Sequence, residues 1–428
     1  MMMRLAERDA GIIWHPYTQM QSAKMPTGIV SAKGACLYDE DGNEIIDAIS
    51  SWWVITHGHC HPYITSRVNA QMQKLDQVIF AGFTHEPAVL LAEKLLAILP
   101  ANQKKVFYSD NGSTAVEVAL KMCLQFWYNS GAARKKILAF ENGYHGDTFG
   151  AMSVSSRSAW TAPFDQLLFE TIFIPLPSTD NINLLMAEIR EYKDQLACFI
   201  YEPLIQGSAG MLMYDATPLD QLLQFCKDNQ VLLIQDEVFT GFGRTGKNFA
   251  ADHLQQQADI MCFSKGLTGG LMPLGLTTCT NDIYNAFLSQ DKLKTLFHGH
   301  SFTANPLACT AAAASIDLLL QQDTQDHIAR ICQQHALFRR KLKGHSGIKD
   351  SRQTGTILAI EFYAPESSGY FSNLRDTLYS YFLEQQILLR PLGNIIYILP
   401  PYCITNQQLE KVYHTIESAL AEFTPKRP

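Results

Sequence analysis

Residues 231–246 read VLLIQDEVFTGFGRTG, and residues 258–266 read ADIMCFSKG. The first stretch is an apolar run that ends in two carboxylates, Asp236 and Glu237, and continues into a glycine-rich turn. The second is an apolar run that ends at Lys265, 29 residues after Asp236. Short runs that are apolar on both faces are typical of strands in a buried parallel sheet. We therefore expect a carboxylate and an amine to lie close together beside such a sheet.

The pairing of Lys265 with Asp236 indicates a covalently held aldehyde cofactor. A lysine forms a Schiff base with an aldehyde, and an ionised aspartate keeps a pyridine nitrogen protonated, so pyridoxal 5'-phosphate needs both. Burial would lower the pKa of the Lys265 amine toward a usable value. The alternative, a surface lysine at the end of a strand, is disfavoured by the apolar residues before it and by Gly266 after it. Glu237 is expected to be a structural partner of the loop.

The segment SDNGSTAVEVALK (109–121) predicts a binding place for a phosphate. A strand ends at its start, Asn111 and Gly112 make a tight turn, and a helix begins at Ser113 or the next residue. Backbone N–H groups and the dipole at a helix start bind a phosphate dianion. The alternative is an ordinary capped helix, with Ser113 and Glu117 near the spacing of a capping box.

Aromatic side chains and one arginine are candidates for a ligand pocket. Tyr144 and His145 follow a strand in FENGYHGDTFGAMS, where an aromatic ring can stack on a flat cofactor or can simply be buried in the loop. Arg390 precedes a proline in ILLRPLG; in a pocket it would bind a carboxylate through two hydrogen bonds, and otherwise it belongs to a surface ion pair. Further aromatic candidates in loop-like segments are Trp14, Tyr17, Trp52 and Trp53.

Two short motifs imitate other kinds of site. GFGRTG (241–246) matches the dinucleotide pattern G-x-G-x-x-G, but a true fingerprint opens a long helix, and KNFAADHL after it is a poor helix opening. HGHCH (57–61) crowds four zinc-ligand residue types into five positions, and neighbours on so short a loop cannot easily enclose one tetrahedral metal. We expect a structural turn and a structural loop, and no metal.

The amino-acid composition favours some classes of protein over others. The 428 residues are 47% hydrophobic and 18% charged, with a net charge of −7, which is ordinary for a globular protein and does not favour binding to nucleic acid. The ten cysteines are dispersed without a Cys-x-x-Cys pair, which favours reduced thiols in the cytoplasm. The first residues carry no apolar signal region, and no apolar run approaches the roughly 20 residues that span a membrane.

The chain is long enough for more than one hydrophobic core. Helical and strand patterns alternate from about residue 65, which predicts an α/β unit with a mostly parallel sheet covered by helices. After about residue 310 long helices and two strands indicate a separate α+β unit. The predicted domains are 61–310 for the large cofactor-binding domain, and 1–60 with 311–428 for a smaller α+β domain built from the two chain ends.

Taken together, these segments resemble the class III pyridoxal-phosphate aminotransferases, which have the fold-type I architecture. The resemblance covers nearly the whole chain, and FHGHSFTANPLAC (297–309) with the Asp236–Lys265 frame is specific. A narrower resemblance, to the branch that aminates a keto acid in biotin biosynthesis, rests on WHPYTQM, SSWWVITHGH, NGYHGDTFGAMSV and LRPLGNIIYILPPY.

The resemblance implies a role for individual residues. Lys265 would hold the cofactor and move the proton at the substrate's reacting carbon, and Asp236 would face the pyridine nitrogen. Gly112 and Ser113 would bind the phosphate, and Tyr144 would stack on the ring and line the substrate pocket.

The resemblance also implies a homodimer in which Gly299, His300 and Ser301 approach the partner's cofactor. This chain departs from the family pattern at His300-Ser301, where many members of the biotin branch look to have Pro-Thr. The serine hydroxyl can still reach a phosphate oxygen, so the departure concerns only the fine geometry there. The residues expected to contact the substrates are Tyr17, Trp52, Trp53, Arg390, which would bind the keto acid's carboxylate, and Arg244, a weaker candidate for discrimination between the two substrates.

The implied reaction converts 8-amino-7-oxononanoate to 7,8-diaminononanoate with S-adenosyl-L-methionine as amino donor. The sequence leaves lysine open as the donor. Three other readings remain: a class III aminotransferase that acts on ornithine, 4-aminobutyrate or a similar ω-amine, an aminomutase of the same fold, and a protein that only binds the cofactor.

Overall fold

The computed structural model describes residues 3–363 and 373–423. Its strands are β1 Ile29–Lys33, β2 Cys36–Asp39, β3 Glu44–Asp47, β4 Lys105–Ser109, β5 Lys136–Phe140, β6 Ile172–Ile174, β7 Leu196–Tyr201, β8 Ile205–Gln206, β9 Leu212–Met213, β10 Leu232–Asp236, β11 Ile260–Phe263, β12 Gly275–Cys279, β13 Ile348–Thr354, β14 Ile357–Phe362, β15 Ile387–Leu388 and β16 Ile395–Ile398.

The helices cover both faces of the largest sheet and form the outer layers. They are α1 Leu5–Ala10, α2 Ser50–Trp53, α3 Pro62–Met72, α4 Glu86–Ile98, α5 Gly112–Asn129, α6 Phe149–Val154, α7 Ile182–Tyr192, α8 Ala216–Asp228, α9 Asn281–Asn285, α10 Pro306–Leu319, α11 Gln322–Lys341, α12 Asn373–Glu384 and α13 Asn406–Phe423. Short 3-10 turns are Ala162–Leu167, Ala250–His253, Lys265–Thr268 and Lys292–Lys294.

The largest sheet has the order β4-β12-β11-β10-β7-β5-β6. Strands β11, β10, β7, β5 and β6 run parallel, and β12 runs antiparallel to both of its neighbours. Every residue of β7 is buried, and alternate residues point to opposite faces: Phe199 belongs to one apolar core, and Cys198 and Ile200 to another. The predicted fold class, a mostly parallel sheet covered by helices, is confirmed.

Helix α5 packs against the centre of this sheet and begins at its edge. Asn111 caps it, because the Asn111 side chain accepts a hydrogen bond from the Thr114 backbone N–H at 3.0 Å. The capping box therefore joins Asn111 to Thr114, and the Ser113–Glu117 pair considered from the sequence does not form it. The carboxylate of Glu117 instead accepts from the Thr148 hydroxyl at 2.5 Å and fastens α6 to α5.

Two smaller sheets bring the chain ends together. In one, β1, β2 and β3 are joined by β15, which pairs parallel to β3; the other has the order β13-β14-β16. This pairing suits a small domain made from both ends, although the domain bounds stay a prediction. Helix α10 crosses the predicted boundary at residue 310 and packs on α3 and α4. Residues 1–2, 364–372 and 424–428 of the predicted domains lie outside the described residues.

Within the described residues, no helix is long and apolar enough to cross a membrane. The described ranges also contain no group of three or more His, Cys, Asp or Glu side chains that could hold a metal ion. In the HGHCH loop, His57 is buried, and the His59 ring nitrogen Nε2 is 2.8 Å from an Asp47 carboxylate oxygen, so the loop is held by the protein itself. All ten cysteines are free.

Candidate active site

A cavity of about 630 Å³ opens at the C-terminal ends of the central parallel strands. Asp236 closes β10, Glu202 follows β7, and Lys265 follows β11, so three charged side chains from neighbouring strands line one space. Tyr144 lines the same cavity from the loop after β5, and Gly112 lines it from the start of α5. Ligands bind at this edge of parallel sheets because side chains and loops from several strands converge there.

The Asp236 carboxylate is almost fully buried and held from two sides. One oxygen accepts from the Val238 backbone N–H at 3.0 Å, and the other lies 2.7 Å from Nδ1 of His145. An ionised carboxylate only accepts hydrogen bonds, so Nδ1 of His145 carries the hydrogen in this pair. The Asp236 carboxylate is therefore held in a fixed orientation before any ligand binds.

Lys265 begins a short 3-10 turn with φ of +43°, a strained backbone conformation for a residue other than glycine. Its Nζ lies 5.0 Å from the ring centre of Trp53 and 5.9 Å from that of Phe239. Burial lowers the pKa of the Lys265 amine, while the negative charges of Asp236 and Glu202 act in the opposite direction. The amine is thus closer to its neutral, nucleophilic form than a surface lysine is.

The start of α5 and the loop before α6 pack so closely against neighbouring protein atoms that Gly112 and Gly146 have no room for a side chain. A Cβ on Gly112 would be 2.8 Å from a methyl carbon of Val238, and one on Gly146, at φ of +133°, would be 2.1 Å from Oγ of Ser113. Ser113 Oγ accepts from the Asp147 backbone N–H at 3.2 Å. A helix start, a buried anion and an amine of lowered pKa therefore fit pyridoxal 5'-phosphate in its phosphate, ring nitrogen and aldehyde respectively.

Tyr144 connects this cavity to the N-terminal segment. Its hydroxyl is 3.4 Å from the hydroxyl of Tyr17, which donates to the carboxylate of Asp147 at 2.5 Å. Burial raises the pKa of Tyr144, so its phenol stays protonated. Tyr17 also contacts the ring edges of Trp52 and Trp160, with centroids 5.7 and 6.4 Å away. The structure thus gathers the predicted Tyr17, Trp52 and Tyr144 into one aromatic group.

Arg390 joins this group through Trp52. Its guanidinium carbon lies 4.4 Å from the centre of the indole ring, which is a cation–π contact. A guanidinium that uses its face in this way still presents its N–H edge to a carboxylate. Trp53 lies deeper: its Nε1 donates to the hydroxyl of Tyr397 at 3.0 Å, and its ring packs on Phe239.

The described structure does not place Arg244 in the cavity wall, where its expected contact with substrate would require it. Its guanidinium is almost fully buried and donates to the backbone carbonyls of Pro400 (3.0 Å), Trp53 (3.3 Å) and Ile55 (3.2 Å). Within the described residues it does not line the cavity. Its contact with substrate therefore stays a prediction without geometric support, and its observed bonds hold the backbone beneath Trp53.

The loop around residues 299–301 lies away from this chain's own cavity. The Ser301 carbonyl accepts from the Gln77 side chain at 2.9 Å, and Nε2 of His300 has no hydrogen-bond partner among the described residues. The expected approach of Gly299, His300 and Ser301 to a partner's cofactor stays a prediction. Trp14 is 85% exposed and contributes nothing to the cavity wall in the described structure.

Sequence reasoning missed several residues of the site, among them Glu202 and Asp147 in the cavity wall and Trp160, which contacts Tyr17. Glu202 closes the apolar run ACFIYE, which is the same signal that identified Asp236. Asp147 lies three positions after Tyr144 in a segment already selected. Trp160 lies in an irregular stretch before the Ala162–Leu167 turn, where no periodic pattern marks it.

The fold and this site define an aminotransferase. The class-III aminotransferase family matches residues 17–420, and the chain belongs to that family. Members of the family are pyridoxal-phosphate-dependent enzymes, and the site described above has the residues that this cofactor requires.

Individual relatives within the family make the comparison more specific. The adenosylmethionine-8-amino-7-oxononanoate aminotransferase of Synechococcus elongatus is 45% identical, with 96% of this chain and 99% of the relative covered. The protein of the same name from Methanocaldococcus jannaschii has a crystal structure with a TM-score of 0.93 at 36% identity, covering 98% of both chains. An omega transaminase from Pseudomonas jessenii, solved in complex with PMP, has a TM-score of 0.91 at 25% identity and covers 98% of both chains.

Proposed function

We propose that this enzyme transfers an amino group to 8-amino-7-oxononanoate, giving 7,8-diaminononanoate for biotin biosynthesis, with S-adenosyl-L-methionine as donor. The observation that carries this proposal is the 45% identity to a relative of that name over nearly the full length of both chains. The aromatic group around Tyr17 with Arg390 at its side supports it, because the keto acid has an apolar chain that ends in one carboxylate.

The chain's own residues have distinct tasks in such a transfer. When bound, pyridoxal phosphate supplies an electron sink for negative charge at the reacting carbon of the substrate. In the half of the cycle that consumes the donor, Nζ of Lys265, with its lowered pKa, would take the proton from that carbon and pass it to the cofactor; in the keto-acid half it would move a proton from the cofactor to the substrate carbon. The Asp236 carboxylate would keep a proton on the ring nitrogen, and His145 holds that carboxylate in place.

Recognition of the keto acid is assigned to the outer part of the site. Arg390 would bind its carboxylate, and Tyr17, Trp52 and Trp53 would enclose its chain, so that its carbonyl carbon points to Lys265. At the other end, Gly112 and Ser113 would bind the cofactor's phosphate with backbone N–H groups at the start of α5.

The test is direct. Purified protein with pyridoxal phosphate is mixed with the keto acid and, one at a time, with adenosylmethionine, lysine, ornithine and 4-aminobutyrate. Mass spectrometry should find the diamine with adenosylmethionine. Formation of diamine with lysine alone would move the proposal to the lysine-dependent reaction. Turnover of ornithine or 4-aminobutyrate without diamine would favour another class III aminotransferase.

We also propose a cytoplasmic homodimer with shared active sites. The 297–302 loop and the neighbouring 77–83 segment present several large apolar side chains to solvent, which is unfavourable unless a second surface covers them. These are Ile79, Phe83, Phe297 and Phe302, each more than 60% exposed. Ten free thiols suit a reducing compartment.

If the active sites are shared between subunits, mixing the inactive variants K265A and S301R should restore part of the activity. If each subunit has a separate site, mixing them would restore none.

A further inference from the structure

Glu202 is a buried carboxylate of the cavity wall that the proposed chemistry does not use. It follows β7, is only 6% exposed, and lines the cavity with Asp236 and Lys265. One of its oxygens accepts from the backbone N–H of Tyr144 at 2.9 Å, and the other accepts from the backbone N–H of Gly207 at 3.0 Å. The side chain therefore joins two separate loops across the strand end.

Both loops carry walls of the pocket. The Tyr144 loop positions the ring that faces the cavity and the His145 ring that holds Asp236. The Gly207 backbone packs against the two aromatic rings next to Lys265: a Cβ at this position would be 3.2 Å from Phe239 and 3.4 Å from Trp53. Movement of either loop would change the surroundings of the reacting amine.

The groups that face Glu202 make its charge sensitive to conditions near neutrality. Burial is the main cause that raises its pKa from 4.5 to about 7; His145 lowers the pKa, and the negative charge of Asp236 raises it. Lys265 faces it across the cavity, and the Tyr214 hydroxyl donates to its backbone carbonyl. A protonated carboxyl has one acceptor oxygen fewer, so protonation would release one of the two backbone N–H groups.

We propose that Glu202 is a positioning residue for the proposed amino transfer: its carboxylate ties the Tyr144 loop to the Gly207 turn and so fixes two walls of the pocket. The proposal rests on the proposed function only for its kinetic consequence. The ionised form holds both loops, and the protonated form holds one.

The first test needs neither substrate nor cofactor. Hydrogen exchange of the apoenzyme, corrected for the intrinsic pH dependence, is measured for peptides that contain Tyr144 and Gly207 between pH 6 and pH 8.5. In the unchanged protein, protection of these two amides should rise with pH as Glu202 ionises. In Glu202→Gln, whose amide nitrogen cannot accept, protection of one of them should fall about tenfold or more and lose the pH step.

Glu237→Gln is the matched control. Glu237 is also buried and also accepts from two backbone N–H groups, those of Ala250 and Ala251, but it does not line the cavity in the described structure. This variant should keep the protection of Tyr144 and Gly207. Should Glu202→Gln fail to fold, Glu202→Asp serves instead: the shorter carboxylate reaches one loop and should retain a pH step at that loop only.

The second test is kinetic. Glu202→Gln should raise KM for the keto acid more than it lowers kcat, and its pH profile should lack the loss of kcat/KM below about pH 7 that Glu237→Gln retains. Unchanged exchange at both amides, or an equal change in the control, overturns the proposal. If no diamine forms with any donor, the proposed function fails, and the exchange experiment still decides the role of Glu202.

Discussion

Replacement of Arg244 by methionine distinguishes between two roles of this arginine: substrate discrimination, which the sequence predicts, and support of the backbone beneath Trp53, which its hydrogen bonds indicate. The substitution keeps the volume and removes the guanidinium, leaving the carbonyls of Pro400, Trp53 and Ile55 buried without that donor. A hydrogen bond to a charged group contributes roughly 1.5–3 kcal/mol, but the buried guanidinium also loses solvation, so the three bonds do not add in full. We expect the free energy of unfolding to fall by about 4 kcal/mol, in the range for breaking a buried charged contact.

The assay is urea unfolding of the apoenzyme, with Arg134→Met as the matched control. Arg134 also donates to backbone carbonyls, those of Lys193, Asn229 and Gln230, but it is partly exposed and does not line the described cavity. Loss of the Arg134 guanidinium should lower the free energy of unfolding by about 1 kcal/mol, because water can replace its hydrogen bonds. In the folded Arg244 variant, the ratio of kcat/KM for the two substrates should stay close to that of the unchanged enzyme.

The result that would refute this reasoning is an Arg244→Met protein of unchanged stability with an altered substrate ratio. That outcome would return Arg244 to the substrate-binding role expected from the sequence.

Three further predictions concern the cavity itself. Gly146→Ala should abolish retention of pyridoxal phosphate in equilibrium dialysis, because the new Cβ would overlap Ser113 Oγ and displace the start of α5; normal retention would contradict a phosphate site at Gly112 and Ser113. Tyr17→Phe loses the bond to Asp147, so kcat/KM for the keto acid should fall about tenfold in steady-state assays, with cofactor retention as the control; an unchanged value would remove Tyr17 from recognition. Ionised Glu202 accepts both loop hydrogen bonds, but the cost of burying its charge outweighs them and raises its pKa in the folded protein. The stabilisation by the protonated form is therefore complete below pH 4.5 and is lost as pH rises through about 7, by about 3 kcal/mol in total. The difference in free energy of unfolding between wild type and Glu202→Gln, measured at pH 4.5 and 8, should show that loss, and a constant difference would contradict it.

Much of the inner site could be predicted from the sequence because parallel strands place their last residues at one edge. The apolar runs that end at Asp236 and Lys265 become β10 and β11, which pair directly, and the helix predicted after Ser109 begins at the cavity. The same rule applied to ACFIYE would have found Glu202. The expected cofactor chemistry, however, requires only one carboxylate, so it does not by itself point to Glu202.

The outer site depends on contacts that local patterns do not encode. Arg244 lies in a glycine-rich turn that looks exposed in sequence, yet its guanidinium is buried by the segments around Trp53 and Pro400. Trp160 meets Tyr17 across more than 140 positions of chain. Such pairs follow from the assembled fold and cannot be deduced from hydrophobic periodicity.

The pairing of β3 with β15 has a consequence for synthesis of the protein. Ile46 and Ile387 are partners although nearly the whole chain lies between them, and Arg390 follows only a few residues later. The N-terminal strands consequently leave the ribosome long before their partner strand exists. All strands of the central sheet, with Asp236 and Lys265, have been synthesised while the chain still lacks the guanidinium that contacts Trp52. The outer half of the substrate site can therefore form only after residue 390 has been added.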